Sequence, residues 1–271
     1  MSSRQTIDVT ILGCGSSGGV PRVGGNWGDC DPTNSKNRRR RCSLLITATA
    51  ENGGQTNVLI DTGCDIREQL LDANVPSVDA VFYTHDHADH THGIDDLRVL
   101  ALNDRKRVEV YANKPTLDRL HSAFGYCFQA PVGSPYPPIL NGNEIVAGQS
   151  VKIDGEGGAI TLHAFDQEHG SIRSLGFRIK NLAYSCDVSD IPNSSFSALS
   201  GLDVWIIDAL RRTPHPSHFS LDDALHWIVR FKPGQAYLTN MHIDLDYETV
   251  RNETPEHVEP AFDGLRIRIA G

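Results

Sequence analysis

The sequence predicts an α/β fold in which two β-sheets are layered with helices packed outside them. Three observations carry that expectation. Short runs rich in Val, Ile, Leu and Tyr, bounded by Gly, Asn or Asp, recur along the chain. Helical patterns are fewer and lie between those runs, which favours stacked layers over a separate helical unit. The 271 residues are 39% hydrophobic and 22% charged, enough for a sizeable core and outside the range of collagen-like, coiled-coil or wholly disordered chains.

In chain order the expected strands are Ile7–Leu12, Ser43–Thr47, Val58–Asp61, Ala80–Thr84, Val108–Tyr111, Ile160–Ala164, Leu175–Ile179, Val204–Asp208, Ala236–Thr239 and Leu265–Ile269. The expected helices are Ile66–Ala73, Ile94–Asn103, Thr116–Ala123 and Ser220–Phe231. The last has Ser220 as N-cap, Asp223 three residues on, and Pro233 just beyond its end. Two stretches read as long loops: Gly13–Arg41, glycine-rich and ending in four arginines, and Gly125–Asn143, which holds four prolines. Loops of that length are usually functional covers or disordered segments. With no repeat or linker visible, residues 1–271 read as a single domain.

Charge and cysteine usage narrow the function classes. Asp and Glu outnumber Lys and Arg by 34 to 25, a net charge of -9, which argues against a general nucleic-acid partner. Six cysteines in so long a chain, behind a start that carries Asp8 inside its apolar run, fit reduced thiols and a cytoplasmic protein better than a disulfide scaffold. No apolar segment is long enough to span a membrane.

The sharpest feature is Thr84-His85-Asp86-His87-Ala88-Asp89-His90 at the end of an apolar run. Three imidazoles and a spare carboxylate are costly to bury unless something binds them, and zinc, manganese and iron take such ligands. On an extended strand end His85 and His87 face one way, and a following turn can bring Asp89 and His90 to a second ion.

His-x-His-x-Asp-His after a strand resembles the signature of the metallo-β-lactamase superfamily. The remaining motifs of that family follow in order: Asp61 after Val58-Leu-Ile, His169 in Phe165-Asp-Gln-Glu-His169, Asp187 after Leu182-Ala-Tyr-Ser-Cys, and His242 in Leu238-Thr-Asn-Met-His242. The resemblance implies an αββα four-layer sandwich with two divalent metal ions, zinc or manganese and also iron, at one edge of the sheets. It implies His85, His87 and His169 on the first ion, Asp89, His90 and His242 on the second, Asp187 bridging, and Asp61 orienting a ligand by hydrogen bonding. The start, Gly13-Cys-Gly-Ser-Ser-Gly-Gly-Val-Pro21, resembles the cyclic phosphodiesterases of the carbon–phosphorus lyase pathway and, more loosely, the ribonucleases that trim transfer-RNA 3′ ends. Where those cyclic phosphodiesterases cluster cysteines for a structural zinc, this chain has Asp29, Cys30, Asp31 and Asn34. Gly13-x-Gly15-x-x-Gly18 also fits a dinucleotide-binding pattern, but Pro21, Gly24 and Gly25 stand where its helix would have to begin. A glycine loop lying against the metal edge is the better expectation.

His218 lies between the Asp187 and His242 motifs, just before the N-cap Ser220. The phosphodiesterase branch carries a histidine there, which makes His218, with Asp89, the expected catalytic pair; His215 is its near rival. The resulting reading is a hydrolase that cleaves a small cyclic phosphate or nucleotide-like phosphodiester with a metal-bridging hydroxide, while His218 assists the leaving oxygen. The alternatives are a transfer-RNA 3′-processing nuclease, a glyoxalase II-like thioester hydrolase and a non-catalytic nucleotide-binding module. An exposed apolar edge would support a homodimer. His92, His121, His163, His226 and His257 read as structural or exposed, Cys186 as a small buried residue, Tyr126 and Phe128 as packing residues, and Arg38–Arg41 as a solvated run.

Overall fold

The computed structural model describes residues 5–269. Two seven-stranded mixed sheets lie face to face. The first runs, edge to edge, Arg266–Ile269, Thr6–Gly13, Ser43–Thr49, Gln55–Ile60, Ala80–Phe82, Val108–Ala112 and Leu140–Glu144. The second runs Val258–Pro260, Gln235–Thr239, Val204–Asp208, Leu182–Ser185, Ile172–Ile179, Ile160–His169 and Ser150–Ile153. The expected α/β sandwich is the one observed, and all ten expected strands are present. The four unexpected ones, at 140, 150, 182 and 258, are three to five residues long and too short to show a period.

Side-chain alternation builds the layers. Leu44 and Ile46 face the second sheet while Leu45 faces out; Val58 and Ile60 face in while Leu59 faces out. The inner set meets Leu162, Phe177, Tyr184 and Trp205, with Phe82 edge-on to Phe177 at 5.5 Å. Outside the first sheet, helices Ile66–Asp72, Leu97–Asp104 and Lys114–Phe128 bury Leu70, Leu97 and Leu120. Outside the second, helix Leu221–Phe231 buries Leu221, Ala224, Trp227 and Ile228. It starts with a reciprocal pair, Ser220 accepting from the Asp223 backbone and the Asp223 carboxylate from the Ser220 backbone. No helix among the described residues is long and apolar enough to cross a membrane.

Parallel pairing matters most for function. Gln55–Ile60 and Ala80–Phe82 run parallel, as do Leu182–Ser185, Val204–Asp208 and Gln235–Thr239. Their C-terminal ends open onto loops at a common edge, which is where side chains from several strands can converge.

Three sequence expectations are corrected. The Ala80–Thr84 strand ends at Phe82, because the backbone N–H of Thr84 is taken by the Asp61 carboxylate instead of a strand partner. Gly125–Asn143 is a loop only in its middle: the helix reaches Phe128 and the next strand begins at Leu140, which leaves 129–139 as the connection. Lastly, Arg38–Arg41 is no solvated run. Arg39 is buried, donating to the carbonyl of Leu245 at 2.8 Å and to Asn37 Oδ1 at 3.2 Å. Arg40 pairs with Asp263 and Asp72, and Arg41 with Asp65, leaving only Arg38 exposed. Gly13 and Gly15 let this segment lie against the first strand, since a Cβ at Gly13 would stand 2.1 Å from the Arg41 carbonyl oxygen.

Arg39→Ala is expected to cost about 2–4 kcal/mol, because it strands several buried acceptors. Urea denaturation measures this; a loss below about 0.5 kcal/mol, the range of ordinary surface substitutions, would mean that water replaces the guanidinium freely.

Candidate metal centre

Each strand end delivers one piece of the cluster. Asp61 follows Gln55–Ile60, Thr84 and His85 follow Ala80–Phe82, and the single turn Ala88–Thr91 swings Asp89 and His90 back over them. His169 is the last residue of Ile160–His169, and Asp187, Asp208 and Asn240 stand at the ends of the three parallel strands of the second sheet. Asp61, Asp187 and Asn240 all have left-handed backbone, φ 63°, 52° and 61°. Asp and Asn tolerate that conformation better than other side chains, and it turns each strand end sharply into the site.

Donor nitrogens and carboxylate oxygens of His85, His87, His169 and Asp187 lie within 4.8 Å of one another. Asp187 Oδ2 is 3.6 Å from both His85 Nε2 and His169 Nε2, and its Oδ1 is 3.4 Å from His90 Nε2. Asp89 Oδ2 stands 3.5 Å from the same His90 nitrogen. The outer nitrogens are tied off. His90 Nδ1 donates to Asp61 Oδ2 at 2.8 Å and His169 Nδ1 to the Ser217 carbonyl at 2.7 Å. Thr84 Oγ1, itself donating to Asp61, accepts from His85 Nδ1 at 3.0 Å. Such bonds fix the tautomer and leave the Nε2 lone pair of His85 and His169 turned inward. His85 Nε2 is buried and has no hydrogen-bond partner among the described residues. An inward, unpartnered lone pair beside carboxylates is a donor set that fits a divalent cation.

The electrostatics agree. Burial opposes a charge on His90, yet Asp187 and Asp61 on either side hold its pKa well above the usual value. His85 goes the other way, driven well below by burial and by His90. Burial would raise Asp187, but His90, His85 and His218 bring it well below the carboxylate range. One imidazolium thus supplies positive charge between two buried carboxylates, a role that a metal ion fills more fully.

His242 is placed differently from the rest. It lines the same cavity, but its Nδ1 bonds Asp244 Oδ1 at 3.1 Å and its Nε2 lies against the Arg22 guanidinium. Cys186 is a proton donor to Asp187 Oδ1 at 3.1 Å, and burial pushes its thiol well above the ordinary range. His218 stands beside the cluster, its ring 4.7 Å from that of His169 and its Nε2 4.0 Å from Asp187. Its Nδ1 donates to Asp208 Oδ2 at 3.0 Å. Burial works against protonating it, but Asp208 and Asp187 prevail and raise its pKa to about 9. His215 lines the cavity as well, with Nδ1 turned to Ser217.

Sequence reasoning missed Asp208 and Asn240. Asn240 donates to Asp187 Oδ1 at 3.0 Å and to Asp208 Oδ1 at 3.1 Å, tying the His218 pair to the cluster. A carboxylate closing the apolar run Val204–Asp208 was the available signal. The cavity holds about 480 Å³, and Ser16, Ser17 and Gly18 of the glycine loop form part of its wall, as expected of that loop. His92 is exposed against Phe124, and Tyr126 and Phe128 lie outside the cavity. A second cavity of about 380 Å³, on the outer side of the first sheet, contains no histidine and one carboxylate, Asp72, already paired with Arg40.

Comparison with known proteins gives the same answer. A model of the beta-lactamase superfamily domain matches residues 56–243, more than half of the chain. A crystal structure described as a new diphosphatase from the PhnP family is 32% identical, with TM-score 0.86 over 98% of both chains. Zinc-bound PqqB from Methylobacterium extorquens, at 15% identity, shares the fold with TM-score 0.75 over 97% of this chain and all of that one. An octanoyltransferase of Porphyromonas gingivalis is 32% identical over 264 residues; these are 96% of this chain, which spans about half (51%) of that relative's length. Family model and overall structure together establish that the chain belongs to the beta-lactamase superfamily and is related to the PhnP family.

Proposed function

We propose that this protein is a metal-dependent hydrolase, a phosphodiesterase that works with two divalent ions. His85, His87 and His169 would hold one and Asp89 and His90 the other, joined by His242 once its Nε2 turns from the Arg22 guanidinium, with Asp187 standing between the two sets. The observation that carries this reading is the set of outward-bonded Nδ1 atoms, which leaves the inner nitrogens of His85 and His169 as unprotonated ligands around Asp187. Imidazole and carboxylate together suit zinc, manganese or iron. When bound, the ions supply Lewis-acid stabilisation of the phosphoryl oxygens and a lowered pKa for the attacking water.

The chain's own residues do the rest. Asp61 holds His90 and Thr84 in place and takes no part in contact with substrate. Asp208 fixes His218 with Nε2 turned towards Asp187, so the imidazolium can hand its proton to the departing oxygen. Asn240 keeps Asp187, Asp208 and His218 in register. A cavity of about 480 Å³ suits a small cyclic phosphate or nucleotide-like diester. The likeness to a diphosphatase of the PhnP family supports chemistry at phosphorus.

The experiment is hydrolysis of chromogenic phosphodiester, phosphomonoester and thioester substrates by protein stripped of metal and reloaded with zinc or manganese. Diester turnover that vanishes on stripping is the expected result; thioester turnover alone would refute the reading. Asp187→Ala should lose metal and activity together, and full metal stoichiometry by elemental analysis would remove its shared role. His218→Ala should keep both ions but lose turnover, most for poor leaving groups. It should also lose the alkaline limb of the pH–rate profile, where the wild type slows as His218 gives up its proton; an unchanged profile would count against it as the acid.

A further inference from the structure

We propose that the cavity on the outer side of the first sheet is a binding site for a short organic carboxylate that also carries a hydroxyl group. It holds about 380 Å³ and shares no lining residue with the cavity at the metal centre, so the site stands apart from the phosphodiesterase reading. Side-chain alternation builds it. Along Thr6–Gly13, Val9 and Ile11 enter the core between the sheets, which turns Thr10 and Leu12 outward. Leu12 and the outward Leu45 of the next strand give an apolar floor, and Val75, just past helix Ile66–Asp72, an apolar side.

One end of the cavity carries an unanswered cation. Strand Arg266–Ile269 sets two arginines on the outer face of the sheet. Arg268 stands opposite Asp8 and donates to both its oxygens, at 2.9 and 3.1 Å. Arg266 stands opposite Thr10, a neutral hydroxyl, and among the described residues its guanidinium has neither an acid nor a hydrogen-bond partner. The other cation of the lining, Arg40, is already committed to Asp72 at 2.8 Å and Asp263 at 3.1 Å. A single free guanidinium beside a hydroxyl matches one carboxylate, whose two oxygens fit its planar fork of donors.

Gln69 makes the opposite demand. Its Nε2 donates to the Arg41 carbonyl at 2.9 Å, which fixes the orientation of the amide, and its Oε1 is buried with no hydrogen-bond partner among the described residues. A buried acceptor left unpaired is costly, and a ligand hydroxyl is the donor it lacks. A Cβ at Gly13 would meet Gln69 Nε2 at 2.5 Å, so this amide lies at Gly13, three residues beyond Thr10 on the same strand. At the rise of an extended strand that separates the two polar ends by about 10 Å. Between them Thr47 donates to Asn57 at 2.8 Å and Asn57 donates to the Ser77 carbonyl at 3.1 Å, so the middle of the ligand is apolar. About five methylenes between carboxylate and hydroxyl span that length.

The test is calorimetric titration of the full chain with 6-hydroxyhexanoate, hexanoate and 1,6-hexanediol, using wild type, Arg266→Gln and the control Arg22→Gln from the metal-edge cavity. Arg266 is exposed and unpaired, so its replacement leaves the fold intact. The wild type should bind 6-hydroxyhexanoate most tightly. Arg266→Gln should weaken it about tenfold, the loss of one charge-assisted hydrogen bond, and leave the diol unchanged. Arg22→Gln should change neither. A second readout is backbone amide NMR, in which 6-hydroxyhexanoate should shift Thr10, Thr47 and Gln69 and leave His87 and Asp89 in place. No saturable binding by the wild type would overturn the site, as would binding lost in Arg22→Gln and kept in Arg266→Gln, or shifts centred on His87 and Asp89. Hexanoate bound as tightly as 6-hydroxyhexanoate would overturn the hydroxyl assigned to Gln69.

Discussion

The edge where the two sheets meet is organised by one constraint: the carboxylate of Asp187 is buried among imidazoles and must be matched by positive charge. A buried carboxylate without compensation would simply protonate. Here His90 answers it from the first sheet, while His85 and His169 flank its other oxygen and Asn240 donates from the second. Asp61 repeats the arrangement one layer further out by holding His90 from behind. The two sheets are thus joined at this edge through charge as well as through the apolar contact of Phe82 with Phe177.

The long segment between the first two strands of the first sheet depends on the same economy of buried polar groups. Arg39 binds Asn37 and the Leu245 carbonyl, and Asp246 accepts from Asn37 Nδ2 at 2.6 Å and from the Asp31 backbone at 3.1 Å. A polar staple therefore ties this loop to the segment that follows His242. Its consequence for the site is positional: the serines of the loop and Arg22 sit in the cavity wall because Arg39, Arg40 and Arg41 are each anchored elsewhere.

Much of this was legible in the sequence, for identifiable reasons. The His85–His90 motif and the single residues Asp61, His169 and Asp187 each stand at the end of an apolar run, where period and chemistry change together. The sandwich was legible because strands buried on both faces, such as Val58–Ile60, leave continuous apolar runs. What could not be read depends on distance along the chain. Asp208 looks like any strand-ending acid until His218 is seen 3.0 Å away. Arg39 belongs to a run of like charges that ordinarily faces water, and only the fold supplies its acceptors at 37 and 245. His242 keeps its place in the motif order, but its Nε2 meets Arg22, a contact between opposite ends of the chain that no local pattern announces.

The left-handed backbone shared by Asp61, Asp187 and Asn240 sets the spectrum of replacements these positions can accept. At an ordinary site a longer acid or a β-branched polar residue is a mild change, but here a Glu or Thr meets a steric cost of about 1–2 kcal/mol before any chemistry is considered. Glycine and asparagine escape that cost. Random mutagenesis screened for folding alone would therefore return Gly and Asn at 61 and 187, whereas a screen for turnover would return almost nothing but Asp. The gap between those two spectra separates what the backbone requires from what the reaction requires, at the same two residues.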